Sequence, residues 1–159
     1  YPRGGELEGL EDYEPDYKTY TLFKEKGARV LLVTYGRIFA NVRRAAAGLL
    51  KVGIPVSVLK LTKIKPIEEE CAAIAADYQN VLFFEEGIRS GGAGEAFGIM
   101  LMNRGFTGFY DNTAIDVFVP ICTPQSGLRQ AGLDAESIFD HVSGVCQKTE
   151  RINSWARTV

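Results

Sequence analysis

The chain has 159 residues, 46% of them apolar and 24% charged, and a formal net charge of −2. That size suits one domain with a single sizeable core, and the charge gives no sign of the basic stripe that a nucleic-acid surface needs. No apolar run reaches the roughly 18 residues that would cross a bilayer, so no membrane partner is expected.

The first residues, Tyr1-Pro2-Arg3-Gly4-Gly5-Glu6, contain no initiating Met, basic n-region or apolar h-region. They do not read as a signal peptide, and the chain reads as a piece of a longer or processed one. Residues 4–18 are acidic and glycine-rich without periodicity, the composition of a linker or a surface-wrapping segment. A short alternating strand, Thr19–Phe23, and a strongly apolar one, Val30–Thr34, flank a turn at Gly27. Their closeness predicts a hairpin, with the first strand as an antiparallel edge.

Ile38, Val42, Ala45, Ala46, Leu49 and Leu50 then recur at helical spacing up to a stop at Gly53. Residues 54–61 form a second apolar strand. A helix follows, with Pro66 near its first turn and Glu68, Glu69 and Glu70 suited to a helix N-terminus. Val81–Phe84 is a third apolar strand, and a glycine loop leads from it into a helix ending near Arg104. Residues 114–120 read as a fourth strand ending at Pro120, and residues 123–132 as a short helix or turn. Asp134 caps a last helix over 135–149, with Ile138, His141, Val142 and Val145 on one face. Continuously apolar strands alternating with helices predict a mostly parallel sheet covered on both faces, a three-layer α/β sandwich.

Cys71, Cys122 and Cys146 are scattered without CxxC spacing, which suits reduced thiols in a cytoplasmic protein. His141 is the sole histidine, so neither a His/Cys zinc site nor any other metal site is expected. A Ser-His-Asp triad would have to use His141, which reads instead as a partly exposed helix residue. The arginines near the second strand (Arg37, Arg43, Arg44) read as a solvated helix face, and Lys60, Lys63 and Lys65 as a solvated edge.

The glycine loop invites a phosphate-cradle reading, since backbone N–H groups at a helix N-terminus bind anions. Gly92, Gly94 and Gly98 are one residue out of step with GxGxxG, and the loop follows the third apolar strand rather than the first. Asp116, near the right distance for a ribose contact, falls at the start of the next predicted strand, away from the carboxyl edge. Close packing at Gly91, Gly92, Gly94 and Gly98 is the preferred reading. A weak anion site or an effector-binding module at Gly91, Gly92 and Gly94 is the alternative. Glu85 and Glu86 close the third strand at the edge where such sheets place functional groups. As neighbours on a strand they face opposite ways, which rules out a carboxylate dyad. Either could meet a helix N-terminus or a neighbouring domain. Arg3, held between Pro2 and two glycines, suits a bidentate grip on phosphate or carboxylate.

Five segments together, YPRG (1–4), VLLVTYG (30–36), KIKPIEEE (63–70), VLFFEEGIRSGGAGEAF (81–97) and AGLDAESI (131–138), occur in the order seen at the end of 1-deoxy-D-xylulose-5-phosphate synthases. The chain resembles that family from Tyr1 to about Val145, and its later segments also resemble transketolases and 2-oxo-acid dehydrogenase beta subunits. Residues 122–127 match only loosely, and residues 148–159 pass beyond the common ending.

The resemblance implies the last of three domains in a homodimeric enzyme that uses thiamine diphosphate and Mg2+. The enzyme would join a two-carbon unit from pyruvate to glyceraldehyde 3-phosphate, in isoprenoid precursor synthesis. It implies a five-stranded sheet, four strands parallel and one antiparallel. Residues 1–18 would be the linker from a preceding pyrimidine-binding domain, 19–148 the transketolase C-terminal-like domain, and 149–159 a tail. It also implies that Arg3 contacts the substrate phosphate, and that catalytic and cofactor-binding residues lie in the earlier domains. The chain alone would then hold no cofactor and be inactive, with a supporting role for its neighbours.

Overall fold

The apolar run Val30–Tyr35 (β2) forms the middle of the sheet because both of its faces can be buried. Leu32 packs with Val30 into one core layer, and Leu31 with Val33 into another. Val56–Leu61 (β3) and Asn80–Ile88 (β4) flank it in parallel, with Leu32 opposite Val58 and Leu82. Phe109–Ile115 (β5) continues the sheet in parallel beyond β4. Tyr20–Phe23 (β1) closes the other edge, antiparallel to β3, and the strand order is β1-β3-β2-β4-β5. The computed structural model describes residues 8–14, 16–116 and 123–156.

The five-stranded sheet with one antiparallel edge is as the sequence predicts, but the hairpin is not. β1 pairs with β3 because both hydrogen-bonding edges of β2 are taken by its parallel neighbours. A strand has two such edges, and the central one had none left for β1. The fourth parallel strand begins at Phe109 rather than Ala114, and Pro120 and Cys122 lie outside the described residues.

Helices α1 (Ile38–Lys51) and α5 (Ala135–Ala156) cover one face, while α2 (Glu69–Ala76) and α3 (Ala93–Asn103) cover the other. On the first side Phe39, Val42 and Leu49 of α1 meet Ile138, Val142 and Val145 of α5 over Leu82 and Phe84. On the second, Cys71, Ala72 and Ala75 of α2 and Phe97 and Leu101 of α3 cover Val81 and Phe83. Each large apolar side chain fully removed from water contributes roughly 1.5–3 kcal/mol, so the two layers are the main source of stability. The short helix α4 (Pro124–Gln130) is capped by Thr123, whose hydroxyl accepts from the Ser126 N–H at 3.3 Å.

Sequence and structure differ at three helix ends. Pro66 precedes α2 rather than opening it, while Glu69 and Glu70 stand in its first turn. Asp134 precedes α5 as expected, yet its Oδ1 has no hydrogen-bond partner among the described residues. α5 also runs unbroken to Ala156, so residues 149–156 of the expected tail are helical.

Residues 8–14, expected in a linker, lie against the domain. Tyr13 stands edge-on to Phe39 at 5.1 Å between ring centres, and the Lys60 ammonium lies over its ring at 4.6 Å. Glu8 pairs with Arg44 at 3.2 Å, and Gly9 lies so close to α1 that a Cβ there would fall 3.1 Å from the Ala40 carbonyl.

Candidate functional site

At the carboxyl edge of the sheet, successive residues of β4 part company. Glu85 turns inward and is fully buried, whereas Glu86 is exposed. Period-two alternation requires this divergence.

Glu85 lies under the N-terminus of α3, a helix whose cap residue, Gly92, has no side chain to offer. The first N–H groups of a helix lack intrahelical acceptors, and their combined dipole favours negative charge. Glu85 meets that need from outside the helix. Its Oε2 accepts from the Ala93 N–H at 3.0 Å and from the Tyr35 hydroxyl at 3.1 Å. Its Oε1 accepts from the Gly94 N–H at 3.0 Å and from Asn112 Nδ2 at 3.1 Å. Four donors satisfy the buried carboxylate, while the Oδ1 of Asn112 has no hydrogen-bond partner among the described residues. Burial, followed by the nearby Glu85 carboxylate, pushes the Tyr35 phenol up to about 12.

The loop glycines sit where side chains cannot. A Cβ on Gly92 would fall 2.7 Å from Glu85 Oε1, one on Gly94 would collide with the Asn112 amide, and one on Gly98 would fall 2.6 Å from the Tyr110 ring. Gly91 has a different reason, a positive φ of 75° with open space around it. Tyr110 donates its hydroxyl to the Gly94 carbonyl at 2.5 Å, and its phenol is pushed well above the usual range by burial first and by Glu85 next. The anion-binding position at the start of α3 is therefore filled by the protein's own Glu85.

Two exposed ion pairs rim this edge. Glu86 receives a two-pronged grip from Arg37, through Nε at 2.5 Å and through Nη2. Arg89 pairs through Nε with Asp116 at 2.6 Å, and its Nη1 donates to the Asn112 carbonyl. Asp116 follows the last residue of β5 at the carboxyl end, not the start of a strand as the sequence predicts, because β5 begins five residues earlier than expected. The Arg89 guanidinium holds the Asp116 carboxyl below its usual range.

His141 lies away from this network, its Nε2 2.9 Å from Asp111 Oδ2 and its ring edge-on to Phe84. It is a partly exposed helix residue, as the sequence suggests. The His141 hydrogen bond is the main reason that the Asp111 carboxyl is held below its usual range. Lys63 pairs with Glu68 at 2.9 Å. Among the described residues no group of three or more His, Cys, Asp and Glu side chains is placed to hold a metal ion. Arg3 lies outside the described residues.

Sequence reasoning brings forward Glu85, Glu86 and the glycines, and the structure gathers them at one edge. It misses Tyr35, Tyr110 and Asn112, which complete the network. The available signal was the polar run Tyr110-Asp111-Asn112-Thr113, which in a covered strand requires partners on both faces.

The family model for the transketolase C-terminal domain matches residues 19–138. The chain is 33% identical over 117 residues to the 1-deoxy-D-xylulose-5-phosphate synthase of Treponema pallidum (strain Nichols), covering 72% of this chain and 19% of that protein. It is 28% identical over 145 residues to the synthase of Azobacteroides pseudotrichonymphae, covering 87% of this chain and 22% of that protein. The chain thus spans about a fifth of the length of the curated relatives it matches. Among solved structures, a split-gene transketolase described as an inactive β4 tetramer superposes with a TM-score of 0.70 at 26% identity, over 79% of this chain and 41% of that one. A 2-oxoglutarate:ferredoxin oxidoreductase shares the fold, with a TM-score of 0.56 at 18% identity over 86% of this chain and 20% of that one. The sheet order, the glycine-loop helix and these matches lead to one assignment: the chain belongs to the transketolase C-terminal-domain family.

Proposed function

We propose that this chain is the C-terminal domain of a thiamine-diphosphate-dependent 1-deoxy-D-xylulose-5-phosphate synthase. In the parent, a cytoplasmic homodimer, it covers the preceding domain and supports assembly without carrying chemistry itself. The observation that carries the reading is its similarity to synthases along most of its own length but only about a fifth of theirs. The geometry agrees. The position at the start of α3 that resembles a phosphate cradle is occupied by Glu85, and the loop glycines are used for packing.

In this reading the cofactor and Mg2+ are held by the earlier domains, where thiamine diphosphate would supply the carbanion chemistry. Arg3 contributes a phosphate contact at the junction with the pyrimidine-binding domain. The likeness to a split-gene transketolase subunit favours a second parent reaction, transketolase itself, with the same role for this domain.

Calorimetric titration of the purified chain with thiamine diphosphate and Mg2+ tests the division of labour. No heat of binding is expected, and micromolar affinity overturns it. The parent reaction is tested by supplying the longer chain with pyruvate and glyceraldehyde 3-phosphate. Thiamine-dependent release of carbon dioxide with formation of deoxyxylulose phosphate is expected. Transfer of a two-carbon unit from a ketose phosphate to glyceraldehyde 3-phosphate, with no turnover of pyruvate, would transfer the assignment to transketolase.

A further inference from the structure

At the opposite end of the sheet from Glu85, Val30, Asn80 and Phe109 stand side by side where β2, β4 and β5 begin. Two clefts of about 660 and 530 Å³ open there, and they share Gln79, Asn80 and Thr149. Both are of the size that takes a small molecule. Thr149 and Ile152 belong to the end of α5, so turns that the sequence assigns to a tail build part of the wall.

Asn80 is a polar residue in a covered strand and is only 3% exposed. Among the described residues its side chain makes one hydrogen bond, in which Oδ1 accepts from the Thr149 hydroxyl at 3.4 Å. That length lies beyond the usual range, and the amide Nδ2 has no partner among the same residues. The unpartnered side-chain atoms wholly enclosed by protein are those of Arg43, Asn112, Asp134 and Ser143. The Asn80 nitrogen therefore keeps an opening, and the two clefts are what it opens onto. A nearly buried donor left unpaired is costly, so its position asks for an acceptor from outside.

The larger cleft surrounds that amide with further binding groups. Phe106, Phe109 and Ile152 supply apolar walls, and Gln79 adds a second amide. Arg104 is the sole charged side chain along this cleft among the described residues. It meets Glu69 through Nη2, at 3.2 Å to the carbonyl and 3.5 Å to the carboxylate, which leaves Nε and Nη1 for an anion.

We propose that this cleft binds an adenine nucleotide with a single phosphate. Asn80 donates through Nδ2 and accepts through Oδ1 at the edge of the base, the pairing by which asparagine reads adenine. The aromatic walls cover the face of the base, and Arg104, one cation, holds one phosphate. The site stands apart from the start of α3, where Glu85 fills the anion-binding position. It does not depend on which reaction the parent performs.

Titration of this chain with adenosine monophosphate, followed through backbone amide shifts by NMR, tests the site. Saturable binding is expected, with the largest shifts at residues 78–80, 104–109 and 149–152. Arg104→Gln, at an exposed position, should weaken adenosine monophosphate about tenfold and leave adenosine unchanged. Asn80→Leu should weaken both ligands about tenfold. A melting curve shows whether that variant is folded, and if it is not, the Arg104 comparison decides alone. Failure to saturate by about 10 mM would overturn the proposal, as would equal losses of nucleotide and nucleoside in Arg104→Gln. Shifts centred on Gly91–Gly94 would also overturn it, by returning the ligand to the glycine loop. So would inorganic phosphate that binds as tightly as the nucleotide, which would reduce the cleft to an anion site.

Discussion

Glu85 and Gly94 are nine residues apart in sequence and joined in space, the Gly94 N–H donating to Glu85 Oε1 at 3.0 Å. The bond closes the loop between β4 and α3, and a Cβ on Gly94 would strike Asn112, the donor to the same oxygen. Strand end, loop and helix start are therefore held by one carboxylate.

Removing that carboxylate should be costly. Glu85→Ala leaves the N–H groups of Ala93 and Gly94 and the side-chain donors of Tyr35 and Asn112 without their acceptor. Unmet buried donors cost about 1–3 kcal/mol each before relaxation, so a loss of roughly 2–4 kcal/mol is expected by urea denaturation. Glu86→Ala should cost less than about 1 kcal/mol, since its ion pair is exposed. Equal losses for the two would contradict the network.

The glycines should separate into classes. Gly94→Ala and Gly98→Ala force a methyl group onto Asn112 and Tyr110, and each should destabilise by about 1–3 kcal/mol. Gly144, inside α5 with nothing within 4 Å of an added Cβ, should give the opposite sign. Gly144→Ala is expected to stabilise by about 0.5–1 kcal/mol through helix propensity. Thermal melts of the three variants check the ordering.

Acid should weaken the attachment of α5 to β5. The folded state holds the Asp111 carboxyl below its unfolded value, chiefly through His141. A depressed carboxyl stabilises fully above the unfolded pKa, about 3.9, and its contribution is lost as pH falls through the lower folded value. Asp111 is about one-third exposed, so solvent screening keeps the contribution small. Asp111→Asn should flatten the acid limb of a stability–pH profile. An unaltered acid limb would show that the pair contributes nothing.

Tyr13 should hold the N-terminal segment to the domain. Its ring meets Phe39 and Phe23, and its hydroxyl accepts from Lys60 Nζ. Tyr13→Ala should cost about 1–3 kcal/mol, less than a fully buried aromatic residue because Tyr13 is half-buried. Limited proteolysis should then cut within residues 8–18 under conditions that spare the parent sequence. Resistance equal to the unaltered chain would mean that the segment is held by other contacts.

The function of Arg3 is testable in the longer enzyme. If it grips the substrate phosphate, Arg3→Ala should raise KM for glyceraldehyde 3-phosphate about tenfold or more and leave KM for pyruvate nearly unchanged. A shared increase would point to domain disorder instead.

Much of the fold was legible because burial on two faces leaves a direct imprint on composition. Val30–Val33 and Val81–Phe84 have no polar residue, and only a strand covered on both sides tolerates that. The opposed directions of Glu85 and Glu86 followed from alternation alone, as did α1 from the spacing of Val42, Ala45 and Leu49. These are local properties of the chain, set within a few residues. Pairing is different, since it depends on which edges other segments have already occupied. Tertiary structure sent β1 to β3 once β4 had taken the second edge of β2. It also started β5 at Phe109, because Asp111 and Asn112 found His141 on one face and Glu85 on the other, so that polar residues could enter a covered strand. The glycine loop shows the same division. Sequence supplied residues small enough for either a phosphate or close packing, and the choice came from a carboxylate on the preceding strand that reaches the helix N-terminus first.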